Sequence, residues 1–135
     1  MRKTVSPADV DAFAALLGDS NEIHVAPAAR PPAPAGRAPL FGGGRQVAHG
    51  MLGAGLIGTV FGTQIAGCVY VSQSLRFRRP VFAGDTIEAA VTVLEISPRG
   101  APIARCATTV TRIGSGGEPD ELVIEGEAKV LLPLR

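Results

Sequence analysis

The stretch from Ala48 to Gly67, AHGMLGAGLIGTVFGTQIAG, restricts what this chain can fold into more than any other part of it. Between Met51 and Ala66 the strongly polar side chains are Thr59, Thr63 and Gln64. No broad solvent-facing stripe remains, so the run reads as one helix enclosed by its own fold. A bilayer span needs about 18 to 20 apolar residues with a positively charged flank. The strictly apolar part here is shorter and has no such flank, so no membrane partner is expected. Gly53, Gly55, Gly58 and Gly62 lie inside the run, each costing about 0.5 to 1 kcal/mol of helix stability relative to alanine. Close approach of a sheet or a second helix would offset that cost. A genome biased toward alanine and glycine is the other explanation, and it leaves the packing consequence intact.

At 135 residues the chain is expected to be one domain, residues 1–135, with a real hydrophobic core. Thirteen Lys and Arg against twelve Asp and Glu supply no concentrated basic field, so no nucleic-acid partner is expected. Cys68 and Cys106 are far apart and outside any CxxC or CxH spacing. They read as buried thiols, with neither a metal site nor a disulfide framework implied. MRKTVSPADVD has no apolar segment of the secretory type, which makes a cytoplasmic location the expectation.

Ser6-Pro7-Ala8-Asp9 spells a helix start, with Ser6 as cap, proline at the first helical position and an acid in the first turn. Val10, Phe13, Ala14 and Leu17 then form one apolar face that closes at Gly18. Arg2 to Val5 before it fits a short edge strand. After it come a polar turn, Asp19 to His24, and a short helical piece, Ala26 to Arg30. Residues 31–44 form a Pro/Gly-rich flexible loop, either a lid or a tolerated insertion.

Beyond the central helix the period changes to two. Val69, Val71, Gln73, Leu75 and Phe77 alternate with Tyr70, Ser72, Ser74, Arg76 and Arg78, a half-buried strand that stops at Pro80. Further strands are expected over Thr86 to Ile96, Ile103 to Ile113 and Leu122 to Leu132, with turns at Gly84-Asp85, Pro98-Arg99-Gly100 and Gly114 to Asp120. Tight turns between consecutive strands imply antiparallel pairing. The expected class is α+β, a curved antiparallel sheet wrapped around a central apolar helix, the hotdog architecture. Its unpaired edge strand predicts a homodimer or higher oligomer.

The segments Gly18-Asp19-Ser20-Asn21-Glu22-Ile23-His24, Ala48-His49-Gly50-Met51-Leu52 and Gln73 to Asp85 resemble the MaoC-like, R-specific enoyl-CoA hydratase family, and the likeness extends from about Pro7 to Leu132. The Asp-x-Asn-x-x-His spacing is its most discriminating part. The resemblance implies addition of water to a trans-2-enoyl thioester, or the reverse dehydration of a 3R-hydroxyacyl thioester, with no metal and no redox cofactor. It places the catalytic acid/base pair at Asp19 and His24, a supporting asparagine at Asn21 and the oxyanion-hole N–H at Gly50. The chemistry agrees: water must lose a proton as it attacks C3, C2 must gain one, and a carboxylate and an imidazole sharing one water do both. Gly50 opens a helix, where free N–H groups and the positive dipole end can meet an enolate-like oxygen.

His49, Met51 and Arg76 are candidate substrate-binding residues, His49 reading equally as a structural hydrogen bonder. Arg76, Arg78, Arg79, Arg30, Arg37 and Arg45 are candidates for the phosphates of coenzyme A or an acyl-carrier prosthetic group. The chain departs from the family where Glu22 replaces the proline after the motif asparagine, and where Gly58 stands at a serine that supports the aspartate in one subgroup. A hotdog thioesterase and a non-catalytic acyl-thioester-binding subunit remain the alternative readings.

Overall fold

The computed structural model describes residues 1–32, 34–38, 44–97 and 100–133. Its elements are β1 (Arg2–Thr4), α1 (Pro7–Leu17), two 3-10 turns (Glu22–His24 and Pro27–Ala29), α2 (Gly50–Gln64), β2 (Val69–Phe77), β3 (Thr86–Ile96), β4 (Ile103–Arg112) and β5 (Glu121–Leu131). The strands form one five-stranded sheet in the order β1-β3-β4-β5-β2, and every pairing is antiparallel. The sheet curls around α2 in the hotdog arrangement expected above. The Pro98-Arg99 part of one expected turn, and residues 33 and 39–43 of the expected loop, lie outside the described residues.

α1 starts as its sequence dictates. The Ser6 side chain accepts from the Asp9 N–H, the Asp9 carboxylate accepts from the Ser6 N–H, and Gly18 closes the helix in the left-handed region at φ 74°. Of its apolar face only Val10 is fully buried; Leu17 is 61 % exposed. The helix is held at its start and middle, and its last turn stands clear of the core.

The core lies between α2 and the concave face of the sheet. Ala54, Ile57 and Phe61 of α2 meet Ile87, Ala89, Ala104, Cys106, Val110, Ile124, Ala128 and Val130. Cys106 is fully buried, and burial pushes its thiol pKa up; Cys68 is only half-buried. Deleting one core side chain, as in Ile57→Ala, costs about 2–5 kcal/mol.

Two sequence expectations need correction. The central helix is not enclosed all round: Met51, Gly55, Thr59 and Thr63, spaced by four, are exposed, because the sheet covers one side of the helix only. Close approach therefore explains some of its glycines and not others. A Cβ on Gly53 would lie 3.1 Å from Ile124 Cδ1, whereas one on Gly55 or Gly62 would meet nothing within 4 Å. In β2, the register shifts between Tyr70 and Ser72, and the extra residue reverses the phase expected from simple alternation. Tyr70, expected to point outward, turns inward, its ring edge-on to Phe61 at 5.3 Å.

Candidate active site

Asp19 follows the Gly18 cap directly, so the end of α1 delivers its carboxylate to the start of the polar turn. Its Oδ1 accepts from the Asn21 N–H (3.2 Å), and Asn21 Oδ1 accepts in turn from the Ile23 N–H (3.4 Å). Asn21 thus caps the 3-10 turn Glu22–His24. The motif spacing is the spacing of two successive Asx turns, and they aim His24 back at Asp19.

Tertiary contacts decide how the histidine faces. His24 Nδ1 lies 2.7 Å from the Val47 carbonyl oxygen. A carbonyl only accepts, so Nδ1 carries a proton, and in the neutral ring Nε2 presents the lone pair. That Nε2 lies 3.9 Å from Asp19 Oδ2, a gap wide for a direct contact and right for one water hydrogen-bonded to both groups. The His24 side chain is 10 % exposed and the Asp19 side chain 50 %. The imidazole sits in the wall of the site and the carboxylate at its rim.

His49 is buried between two rings, stacked on His24 at 3.7 Å between centroids and tilted against Phe13 at 5.0 Å. Its Nε2 donates to the Asp19 carbonyl oxygen at 3.2 Å, which leaves its buried Nδ1 without a partner. His49 thereby holds both catalytic candidates, one ring against the His24 imidazole and one hydrogen bond to the Asp19 backbone. Donor atoms of Asp19, His24 and His49 all lie within 4.8 Å of one another. The Asp19–His49 and Asp19–His24 pairs stand at 3.8 and 3.9 Å, wider than the ~3.4 Å ligand spacing of a tetrahedral ion with bonds near 2.1 Å.

Gly50 is the first residue of α2, and the N-cap His49 makes no side-chain cap bond. Among the described residues, no acceptor meets the N–H groups of Gly50 and Met51. An added Cβ on Gly50 would lie 2.7 Å from the Phe77 ring, so a side chain at position 50 would force that ring to move. Below this helix start lies a cavity of about 380 Å³, with His24, His49 and Gly50 at its polar end and Gly53, Val81, Ile87 and Ile124 on its apolar side.

The substrate-binding candidates separate. His49 lines the cavity; Met51 does not, and is exposed on the first turn of α2. Arg76 is not brought to the cavity in this protomer. Its neighbour Phe77 lines it, and strand alternation points Arg76 to the opposite, convex face beside Glu125 and Glu127. Arg78 is paired with Glu125 and Arg79 with Glu121. Arg45 pairs with Asp85 at 3.2 Å and lies over the Phe82 ring. Gly58 is eight residues along α2 from Gly50, about 12 Å of rise, and its α-carbon faces Tyr70. A side chain there would not stand over Asp19 of the same chain.

Three contributors carry no sequence signal of their own: Val47, through its carbonyl, Phe77, over Gly50, and Gln46. The buried Gln46 side chain donates to the His24 carbonyl (2.8 Å) and to Asp11 Oδ1 (2.9 Å). Each acts across more than twenty residues of chain.

A carboxylate and an imidazole at the polar end of an apolar cavity, beside an uncapped helix start in a hotdog sheet, can hold an acyl group and move a proton beside it. The chain belongs to the MaoC-like family: the MaoC like domain matches residues 1–113. It is 41 % identical over 98 % of its length to a 3-hydroxybutyryl-CoA dehydratase of Methylorubrum extorquens, covering 76 % of that protein. To an (R)-specific enoyl-CoA hydratase of Rhodospirillum rubrum it is 39 % identical over its full length, covering 85 % of that protein. Its fold superposes on an (R)-hydratase from A. caviae with a TM-score of 0.81 and 37 % identity, covering 98 % of this chain and 92 % of that one.

Proposed function

We propose that this protein is an R-specific enoyl-CoA hydratase, a hydro-lyase that adds water to trans-2-enoyl thioesters and, in reverse, dehydrates 3R-hydroxyacyl thioesters. The observation that carries this reading is the 3.9 Å gap between Asp19 Oδ2 and the unprotonated His24 Nε2. A water bridging that gap gives one proton to Nε2 as its oxygen bonds C3, while its other hydrogen stays on oxygen and donates a hydrogen bond to the carboxylate, which stabilises the imidazolium that forms. Nε2 then returns the proton to C2 from the same side, so the addition is syn. The thioester oxygen, gaining negative charge, meets the free N–H of Gly50 at the positive end of α2, and the acyl chain takes the apolar cavity.

The oligomer belongs to the proposal as well. β2 is a nine-residue strand at the edge of the sheet, and Val69, Tyr70, Val71 and Phe77 on it are exposed. Pairing β2 with a second copy would cover them together with the open stripe of α2, so a homodimer is expected. Val71→Lys should shift the mass seen by light scattering from two chains to one. No described helix is long and apolar enough to cross a membrane, and the proposal keeps the cytoplasmic location expected from the sequence.

The test is loss of the conjugated-thioester absorbance of crotonyl-CoA, with a parallel thiol assay and chiral analysis of the product. Loss without free thiol, giving the 3R alcohol, supports the hydratase. Free thiol would mean a thioesterase, and binding without turnover a non-catalytic subunit. Asp19→Asn should lower kcat by about 10²–10⁴-fold; a variant that folds and retains the full rate would remove Asp19 from the pair.

A further inference from the structure

Arg30 stands among the candidate phosphate-binding arginines in the sequence, and its guanidinium is used for something else. Its Nε donates to the Val25 carbonyl (2.9 Å), and its Nη2 donates to the carbonyls of Ile23 (3.2 Å) and Arg45 (2.9 Å). No carboxylate among the described residues pairs with it. All the donors along one edge of the planar fork are spent on backbone oxygens.

Those oxygens belong to the two segments that build the base. Residues 23–25 end the 3-10 turn that carries His24, and residues 45–47 lead to Val47, whose carbonyl fixes the protonated nitrogen of His24. The turn itself is short, held by His24 N–H to the Asn21 carbonyl (2.9 Å) and Val25 N–H to the Glu22 carbonyl (3.2 Å). A single 3-10 turn of this length is a weak structure. One backbone hydrogen bond, Val47 N–H to the Ile23 carbonyl at 2.9 Å, and two side-chain ones, His24 Nδ1–H to the Val47 carbonyl and Gln46 to the His24 carbonyl, join the segments directly; the guanidinium adds a bridge between their backbones, on the same Ile23 oxygen.

We propose that Arg30 is a positioning residue of the active site: its guanidinium clamps the His24 turn to the Arg45–Val47 segment and so holds His24 with Nδ1 on the Val47 carbonyl and Nε2 toward Asp19. This rests on the hydratase reading for its kinetic consequence, but not for its structural one. Displacing a reacting group by about 1 Å costs on the order of 10²-fold in rate. A lysine keeps the charge and cannot reach carbonyls on both segments with one planar edge.

The experiment compares Arg30→Ala and Arg30→Lys with the unaltered protein in two readouts. The first is the ring nitrogen spectrum, simple here because the chain has two histidines. In the unaltered protein His24 should show the Nδ1-protonated form, and in Arg30→Ala a mixture of the two neutral forms. The second is crotonyl-CoA hydration, where kcat should fall by about 10²-fold with KM changed by less than about 3-fold. Free guanidinium at a non-denaturing concentration should restore part of the rate to Arg30→Ala, and urea at the same concentration should not. Arg30→Lys should stay slow, and it carries the same readouts should Arg30→Ala fail to fold. An unchanged ring spectrum with unchanged kcat overturns the proposal. So does a KM raised about 10-fold at constant kcat, which would return Arg30 to the carrier phosphates. Should the unaltered protein hydrate nothing, the hydratase reading fails, and the ring spectrum alone still decides the role of Arg30.

Discussion

The two long helices begin in opposite ways. α1 opens with a complete capping box, Ser6 and Asp9 each satisfying the other's backbone N–H, with proline at the first helical position. α2 opens on His49, which caps nothing with its side chain; among the described residues the Gly50 N–H meets no acceptor, and Gly50 lines the cavity. A capped start stabilises the fold, whereas an uncapped one beside a cavity keeps its donors for a ligand at some cost in stability. The helix that lacks a side-chain cap at its start is the one that opens on the cavity.

Breaking the open start should have the largest effect. Proline at Gly50 would delete the N–H while suiting a helix start, but its ring would run into Phe77. The informative comparison is therefore Gly50→Pro with Phe77→Ala against Phe77→Ala alone. The double variant should lose about 2.7–4 kcal/mol of transition-state stabilisation with little change in thermal unfolding. An unchanged rate would remove Gly50 from the oxyanion role.

Breaking the closed start should do the reverse. Ser6→Ala should cost about 1 kcal/mol of stability, read from denaturant unfolding, and leave the rate untouched. The same box makes a pH signature. The Ser6 backbone N–H, then Lys3 and the Ser6 hydroxyl, hold Asp9 below its ordinary 3.8, at about 2. A depressed folded pKa stabilises fully above the unfolded value and is lost as pH falls through the folded one. The stability difference between the unaltered protein and Asp9→Asn should thus be constant above about pH 5 and vanish as pH falls from 3.8 toward 2.

The smallest effect comes from the outer face of α2. Gly55→Ala meets nothing within 4 Å, so it should stabilise an isolated protomer by about 0.5–1 kcal/mol. If a second copy packs there, the added methyl should instead weaken association. Unfolding followed as a function of protein concentration separates the two results.

Much of this was legible in the chain because it is local. The Ser6-Pro7-Ala8-Asp9 start, the Gly18 stop, the strands and their antiparallel order follow from capping chemistry, backbone freedom at glycine and period-two patterning. Asp19, Asn21 and His24 were legible for the same reason, since two Asx turns span six residues. What was misread is what depends on neighbours far along the chain. The register shift in β2 has no marker residue, so simple alternation puts Tyr70 on the wrong face. Arg30 looked like a phosphate ligand because an arginine's charge is visible in sequence and three backbone carbonyls are not.

The sequence by itself determined the elements, the spacing of the acid/base pair and the glycine at the start of α2, because each depends on the conformational preferences of a few consecutive residues. The tertiary structure alone decided which nitrogen of His24 carries the proton, what Arg30 holds and which face of α2 stays open. Those depend on hydrogen bonds and packing between segments such as residues 23–25 and 45–47, and such contacts exist only once the sheet has closed around the helix.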